Sequence, residues 1–334
     1  MPSLPLFFGP RWDWLQLEVT SRCNAACGYC PRTVYRGAWQ SRDMTWETFQ
    51  RLVPEFRRTG MVHLQGWGEP LLHPRFFDML AAVKRAGVWA GTTSNGLLLD
   101  EPMAEKLASS GLDMLAISLA GTGEDHDRAR AGAPLEAALA ALRRVDQAKQ
   151  RLGSKTPALH VAFMLLRSGL PGLSGLPGLL AGAGVGQVVV SSLDYVCSEA
   201  WAAEALSPAD IPEVEQALEA MARQAVTQGL SVSWLLPRAS ARETGFCSEN
   251  VDRALVVGAD GSVHPCVIGN LPVDPSASLP AGALAAPPRL TFGSVHEQSL
   301  SDLWTSRDYK AFRKSFRSGG LHPVCHACPK LHAG

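Results

Sequence analysis

Three cysteines stand close together near the start of the chain, Cys23, Cys27 and Cys30, in the pattern Cys-x3-Cys-x2-Cys. Thiolates are the preferred ligands of iron–sulfur clusters, and four of them normally close a cubane. Three in one compact loop leave one corner iron open to a substrate or cofactor. Zinc sites usually pair Cys-x2-Cys with a second pair some distance on, and none follows nearby. Four more cysteines come late: Cys247 and Cys266, which flank an Asp260-Gly261 turn, then Cys325 and Cys328. Brought together, four thiolates could close a tetrahedral zinc site or a cubane, and spacing alone does not separate the two. Cys197 stands by itself, and a lone cysteine is usually packing.

Other reactive side chains fall at the ends of apolar runs. Gly66-Trp67-Gly68-Glu69-Pro70 offers glycines that let backbone approach a ligand and a carboxylate that could bind a cationic amine. Thr93-Ser94-Asn95-Gly96, Ile117-Ser118-Leu119-Ala120-Gly121 and His126-Asp127-Arg128-Ala129-Arg130 follow in turn. Each alone also reads as a polar turn or a solvated loop.

With the cysteine loop and in this order, these motifs resemble the signature of the radical S-adenosylmethionine (radical SAM) enzymes. The resemblance implies that Cys23, Cys27 and Cys30 hold a 4Fe–4S cluster whose fourth iron is chelated by SAM. It implies that Gly68 and Glu69 stand at the family's Gly-Gly-Glu motif, with Glu69 on the SAM amino group; Trp67-Gly68 replaces the glycine doublet. Asn95 matches the family's Thr-Asn-Gly, and Ser118 the serine that contacts the ribose, with Ala120 where an aspartate is usual. Arg130 would pair with the SAM carboxylate in the fork geometry arginine favours, and Tyr29 would pack near adenine. One electron from the cluster then gives a 5′-deoxyadenosyl radical, chemistry that belongs to the cofactor.

The late cysteines, with Thr291-Phe292-Gly293 and Ser299-Leu300-Ser301-Asp302-Leu303-Trp304, resemble the SPASM/Twitch extensions of this family. The four-cysteine count matches the single-cluster Twitch form, so Cys247, Cys266, Cys325 and Cys328 would hold a second, auxiliary 4Fe–4S cluster. Four ligands would saturate it, which suits electron transfer: hydrogen abstraction from a substrate, then oxidation or bond formation. An external one-electron donor such as flavodoxin or ferredoxin is implied. A redox-neutral epimerase is the rival, with Cys197 returning a hydrogen atom. The rival of another class is a non-enzymatic iron–sulfur carrier or zinc-binding module, which leaves Glu69, Ser118 and Arg130 unexplained. The first strand begins near residue 14, which leaves no room for the fused leader-binding domain of peptide-modifying relatives and tilts the expectation toward a small-molecule substrate over a peptide.

Strands expected at 14–20, 61–65, 88–93, 112–119, 158–166 and 187–193 alternate with helices at 45–58, 76–86, 101–110 and 135–151. Such alternation means parallel βαβ units with right-handed crossovers. Six units predict an α/β fold, a partial (β/α)6 TIM-type barrel, with ligands at the C-terminal strand ends where the motifs cluster. Residues 1–206 form this barrel, 207–229 a connecting helix, and 230–334 a small SPASM/Twitch-like domain with a hairpin turning at Asp260-Gly261. Lys+Arg and Asp+Glu are both 31 in 334 residues, so nothing points to a nucleic acid. The apolar opening Met1–Phe8 lacks a basic n-region and a long h-region, and no apolar run could span a bilayer. Eight cysteines without an export signal argue for reduced thiols in the cytoplasm.

Overall fold

A computed structural model describes residues 12–236, 245–318, 320–326, 328 and 330–333; the apolar opening at Met1–Phe8 lies outside them. Strands β1 (Trp12–Leu17), β2 (Thr59–Leu64), β3 (Trp89–Ser94), β4 (Met114–Leu119), β5 (Ala158–Leu165), β6 (Val185–Ser192) and β7 (Ser231–Leu235) pair in chain order, all in parallel. The helices between them are α1 (Pro31–Val34), α2 (Trp46–Leu52), α3 (Phe76–Arg85), α4 (Glu101–Ser109), α5 (Glu124–Ala129), α6 (Leu135–Leu152), α7 (Leu176–Leu180) and α8 (Ile211–Val226). Beyond them come β8 (Gly245–Cys247), β9 (Ala254–Val257), β10 (Val263–His264), α9 (Leu300–Thr305), α10 (Arg307–Ser318) and β11 (Leu331–Ala333).

Local chemistry explains several boundaries. The Thr45 hydroxyl accepts from the Thr48 backbone N–H and starts α2, which gives way at Pro54 to a short 3-10 helix over Val53–Arg58. Gly153, at φ 61°, closes α6. The 168–184 crossover, with little pattern in sequence, is a 3-10 helix over Arg167–Gly175 followed by α7. Ser306, with an extended ψ of 155°, separates α9 from α10.

The six expected strands are present, and two more parallel strands flank them. β7, placed on sequence with the C-terminal domain, pairs with β6 and continues the barrel sheet. The β9–β10 hairpin turns at Asp260-Gly261 as expected, with Gly261 at φ 80°, yet β9 also pairs in parallel with β1. The sheet thus runs β10-β9-β1-β2-β3-β4-β5-β6-β7, while β8 and β11 form a separate antiparallel pair. Alternation sorts the side chains of each strand. Leu15, Leu17, Val62, Leu64, Ile117, Leu119, Val161 and Phe163 are buried in the hydrophobic core, and their neighbours of opposite parity face the lumen. No described helix is long and apolar enough to cross a membrane.

Candidate active site

The cysteine loop leaves the C-terminal end of β1 and is held to the end of α5 and the residues just after it. Ala26 N–H donates to the Ala131 carbonyl (2.8 Å) and Gly28 N–H to that of Ala129 (2.9 Å). Gly28 has no room for a side chain, since a Cβ there would come 2.3 Å from the Trp201 ring. Cys30 stands at the start of α1, where Pro31 occupies the first turn. All three thiols are half-buried. Burial raises the Cys23 pKa, and burial with the neighbouring Cys27 pushes Cys30 to about 12.

Glu69 follows β2 and is 2% exposed. Its Oε2 accepts from Asn95 N–H (2.7 Å) and its Oε1 from Leu71 N–H (3.3 Å), while burial raises its pKa and the Asn95 and Ser94 hydrogen bonds oppose that rise. The Asn95 amide reaches Asn24 Oδ1 (2.8 Å) and Cys23 Sγ (3.7 Å). Glu69, Asn95 and Cys23 are therefore one hydrogen-bonded group. Gly68 lets this loop lie on the β1 exit, because a Cβ would come 2.4 Å from the Arg22 carbonyl oxygen.

On the other side of the cysteines, Arg130 Nη1 donates to the Tyr29 hydroxyl (2.9 Å). Tyr29 packs edge-on to Trp201 at 5.8 Å. The Arg130 Nε is buried with no hydrogen-bond partner, an exception to the near-universal pairing of buried donors. Ser118 lies half-buried on the lumen side of β4, beside Ala162 of β5, and is not part of either group. Cys197 is elsewhere. It is 1% exposed, packs with Tyr35, Ala38, Leu271 and Val273, and donates to the Tyr29 carbonyl at 3.4 Å.

Two cavities adjoin these groups. An inner one of about 310 Å³ is lined by Tyr29, Cys30, Trp67, Met164, Asp194 and Tyr195 among others, and Cys197 is not in its wall. A second of about 260 Å³ is lined by all four late cysteines, Cys247, Cys266, Cys325 and Cys328. Tyr195, Ile268 and Lys330 line both. Lys330 Nζ sits 2.8 Å from Asp194 and 3.2 Å from Glu249. Burial raises all four late thiols, Cys247 to about 12 and Cys325 to about 11. A thiol this reluctant to ionise becomes a thiolate when a metal cation replaces its proton. Among the described residues no three such side chains converge as for one metal ion. The donors suit the implied groups. Four thiols face one cavity, three line one loop, and an unpartnered guanidinium N–H adjoins that loop.

Sequence reasoning missed Glu18, Asn24, Ser94, Asp194, Tyr195 and Lys330. Glu18 had a signal, a charged residue inside the apolar run 14–20. Asp194 and Lys330 had none, since only tertiary folding brings them together.

A sequence model of the Radical SAM superfamily matches residues 17–160, and one of SPASM, an iron–sulfur cluster-binding domain, matches residues 247–329. A cofactor-modifying protein for tungsten-containing aldehyde ferredoxin oxidoreductase from Pyrococcus furiosus is 27% identical over 94% of this chain and 86% of its own. A PqqA peptide cyclase from Gluconobacter oxydans is 26% identical over 87% of this chain and 75% of its own. In fold, Streptococcus suis SuiB bound to S-adenosylmethionine superposes with a TM-score of 0.70 at 12% identity, over 97% of this chain and 76% of its own. Native anSMEcpe with bound AdoMet gives 0.67 at 18% identity, over 95% and 88%. The chain belongs to the radical SAM superfamily. Within it, the chain is a SPASM-containing enzyme whose cofactors are SAM and 4Fe–4S clusters.

Proposed function

We propose that the protein is a peptide-modifying radical SAM oxidoreductase that takes a hydrogen atom from a peptide held in the inner cavity. The second cluster would accept the electron that follows, giving a dehydrogenated or newly bonded product. One observation carries this reading: the cavity walled by Cys30 shares Tyr195, Ile268 and Lys330 with the cavity walled by the four late cysteines. A substrate there would lie between an iron–sulfur centre on either side. The peptide follows from the PqqA peptide cyclases among the relatives and from fold neighbours solved with the precursor peptide SuiA and with the Cp18Cys peptide. It replaces the tilt toward a small molecule.

Bound together, cluster and SAM supply a one-electron reduction that splits the sulfonium and yields a radical able to attack an unactivated C–H bond. Cys23, Cys27 and Cys30 would hold the first cluster, and Cys247, Cys266, Cys325 and Cys328 the second. Glu69, anchored by Asn95 and Leu71, would receive the SAM amino group. Arg130, with its Nε free, would receive the carboxylate. Tyr29 would wall the adenine side and Ser118 the ribose side. We place the enzyme in the cytoplasm with a flavodoxin or ferredoxin as donor, in keeping with eight unpaired thiols.

Anaerobic reconstitution with iron and sulfide tests this, followed by iron counting and product analysis with SAM and dithionite. About eight irons per chain and 5′-deoxyadenosine are expected. About four irons with the same product would remove the second cluster, and no deoxyadenosine from a fully loaded protein would remove the enzyme reading.

A further inference from the structure

The glycine-rich loop that carries Glu69 is tied to the C-terminal segment by a carboxylate that no motif singles out. Glu18 leaves β1 on the lumen side, by the same parity as Gln16 and Thr20, and is 1% exposed. Its Oε1 accepts from Trp67 N–H at 3.1 Å, inside the Gly66–Glu69 loop. Its Oε2 accepts from Asn270 Nδ2 at 2.9 Å and Ala259 N–H at 3.4 Å, both beyond β8. The Trp67 indole N–H makes the same crossing, donating to the carbonyls of Val267 and Asn270 at 3.1 Å each. Gly66 is shaped to this carboxylate, because a Cβ there would come 2.2 Å from Glu18 Cγ.

The tie continues to a cysteine. The 3-10 turn Ile268–Asn270 holds both Asn270 and Gly269, and Gly269 N–H donates to Cys266 Sγ at 3.4 Å. Beyond Glu18, the Asn270 amide can face only one way. Its Nδ2 meets the Glu18 carboxylate, and its Oδ1 accepts from Arg289 Nη2 at 2.9 Å. Arg289 in turn pairs with Asp260 at 2.9 Å. Carboxylate, amide, guanidinium and carboxylate form a row of fixed polarity that runs from the SAM loop into the second cysteine domain.

We propose that Glu18 is a positioning residue that locks the Glu69 loop to the Val267–Asn270 turn, so that the SAM-binding end of the barrel and the Cys266 side of the second cluster keep one mutual geometry. Neither a glutamine in place of Glu18 nor an aspartate in place of Asn270 can alone preserve the row. Glu18→Gln presents an amide N–H to the Asn270 N–H, and Asn270→Asp sets two carboxylates face to face. The two together restore it. The introduced glutamine turns its oxygen to Trp67 N–H and donates its amide to the introduced aspartate, which still accepts from Arg289, and only the long 3.4 Å bond from Ala259 N–H loses its acceptor.

The inference rests on the proposed binding of SAM by Glu69, and the experiment separates the two. SAM equilibrium binding and iron content are measured in reconstituted holoprotein for Glu18→Gln, Asn270→Asp, their pair and Glu69→Ala. Each of the first two is expected to weaken SAM binding about tenfold at undiminished iron, with the pair returning to within about threefold of wild type. Should the single variants fail to load iron, the pair is expected to load fully and bind SAM. SAM binding that weakens at undiminished iron and returns in the pair is the readout that a merely structural carboxylate would not give. A pair no better than the worse single variant would overturn the proposal. So would wild-type SAM binding in Glu18→Gln while Glu69→Ala binds none. Undiminished binding in Glu69→Ala would instead overturn the reading of the loop itself.

Discussion

Arg130→Met separates a guanidinium kept for a ligand from one kept for the fold. Arg130 is 8% exposed, spends one N–H on the Tyr29 hydroxyl and leaves Nε unpartnered. A buried unsatisfied donor costs about 1–3 kcal/mol, and a hydrogen bond to a charged group returns about 1.5–3 kcal/mol. Methionine removes both terms, so the ligand-free protein should change in stability by no more than about 1 kcal/mol. SAM binding should change much more. A carboxylate received by Nε and a second N–H is a charge-assisted pair, and losing one such bond of about 1.5–3 kcal/mol weakens Kd roughly ten- to a hundredfold. Arg130→Lys keeps the charge without the fork and should fall between. The assay pairs SAM equilibrium binding with urea unfolding on one anaerobic preparation of known iron content. The reasoning is refuted by an Arg130→Met protein that binds SAM as wild type does and yet unfolds several kcal/mol more easily.

Glu69→Gln should weaken SAM binding at least about tenfold by removing the charge on the proposed amine site; binding within about twofold of wild type would count against that role. Cys197→Ala should turn over at the wild-type rate, because Cys197 lies outside the inner cavity wall, and a tenfold loss at full iron content would revive the epimerase. Cys325→Ala should cut iron from about eight to about four per chain while 5′-deoxyadenosine still forms, and an unchanged count would remove Cys325 from the ligand set. Burial raises Glu18 to about 6 from an ordinary 4.5, opposed by its Trp67, Asn270 and Ala259 donors and aided by Asp260. A raised carboxyl pKa contributes stability in full below 4.5 and loses it as pH rises through 6, so apo-protein with Glu18 should lose up to about 2 kcal/mol across that window relative to Glu18→Gln. Parallel urea midpoints for the two proteins at pH 4.5 and 7 would refute it.

What sequence made legible is what is local in the chain. The Cys-x3-Cys-x2-Cys loop and the Asp260-Gly261 turn each depend on residues a few places apart, and each is found where expected. Strand pairing across the chain is different. Nothing in Ser231–Leu235 says that it will extend the sheet at β6, nor in Ala254–Val257 that it will join β1, because either strand needs only some neighbouring edge. The reading of Arg130 gained most from the structure. Its motif suggests a SAM ligand, and the structure adds that its Nε is buried and unpartnered, as are Arg289 Nε and Arg313 Nη1, but beside the cysteine loop through Tyr29.

The two added strands explain how the barrel and the second cysteine domain come to share the lining of the inner cavity. β9 joins the sheet at the β1 edge, where the Cys23–Cys30 loop begins, and β7 joins at the β6 edge, which leads to Asp194 and Tyr195. The C-terminal segment therefore meets the barrel at both ends of the strand order. Val267 and Ile268 reach the inner cavity from the β9–β10 side, and Lys330 reaches it just before β11, paired with Asp194. A wall supplied from both edges places the four late cysteines beside the cavity while Tyr195, Ile268 and Lys330 stand between. That separation matters for the proposed chemistry. Held by those four cysteines, an acceptor for the second electron would adjoin the inner cavity without lining it, so that the proposed substrate would stand between it and the Cys23–Cys30 loop.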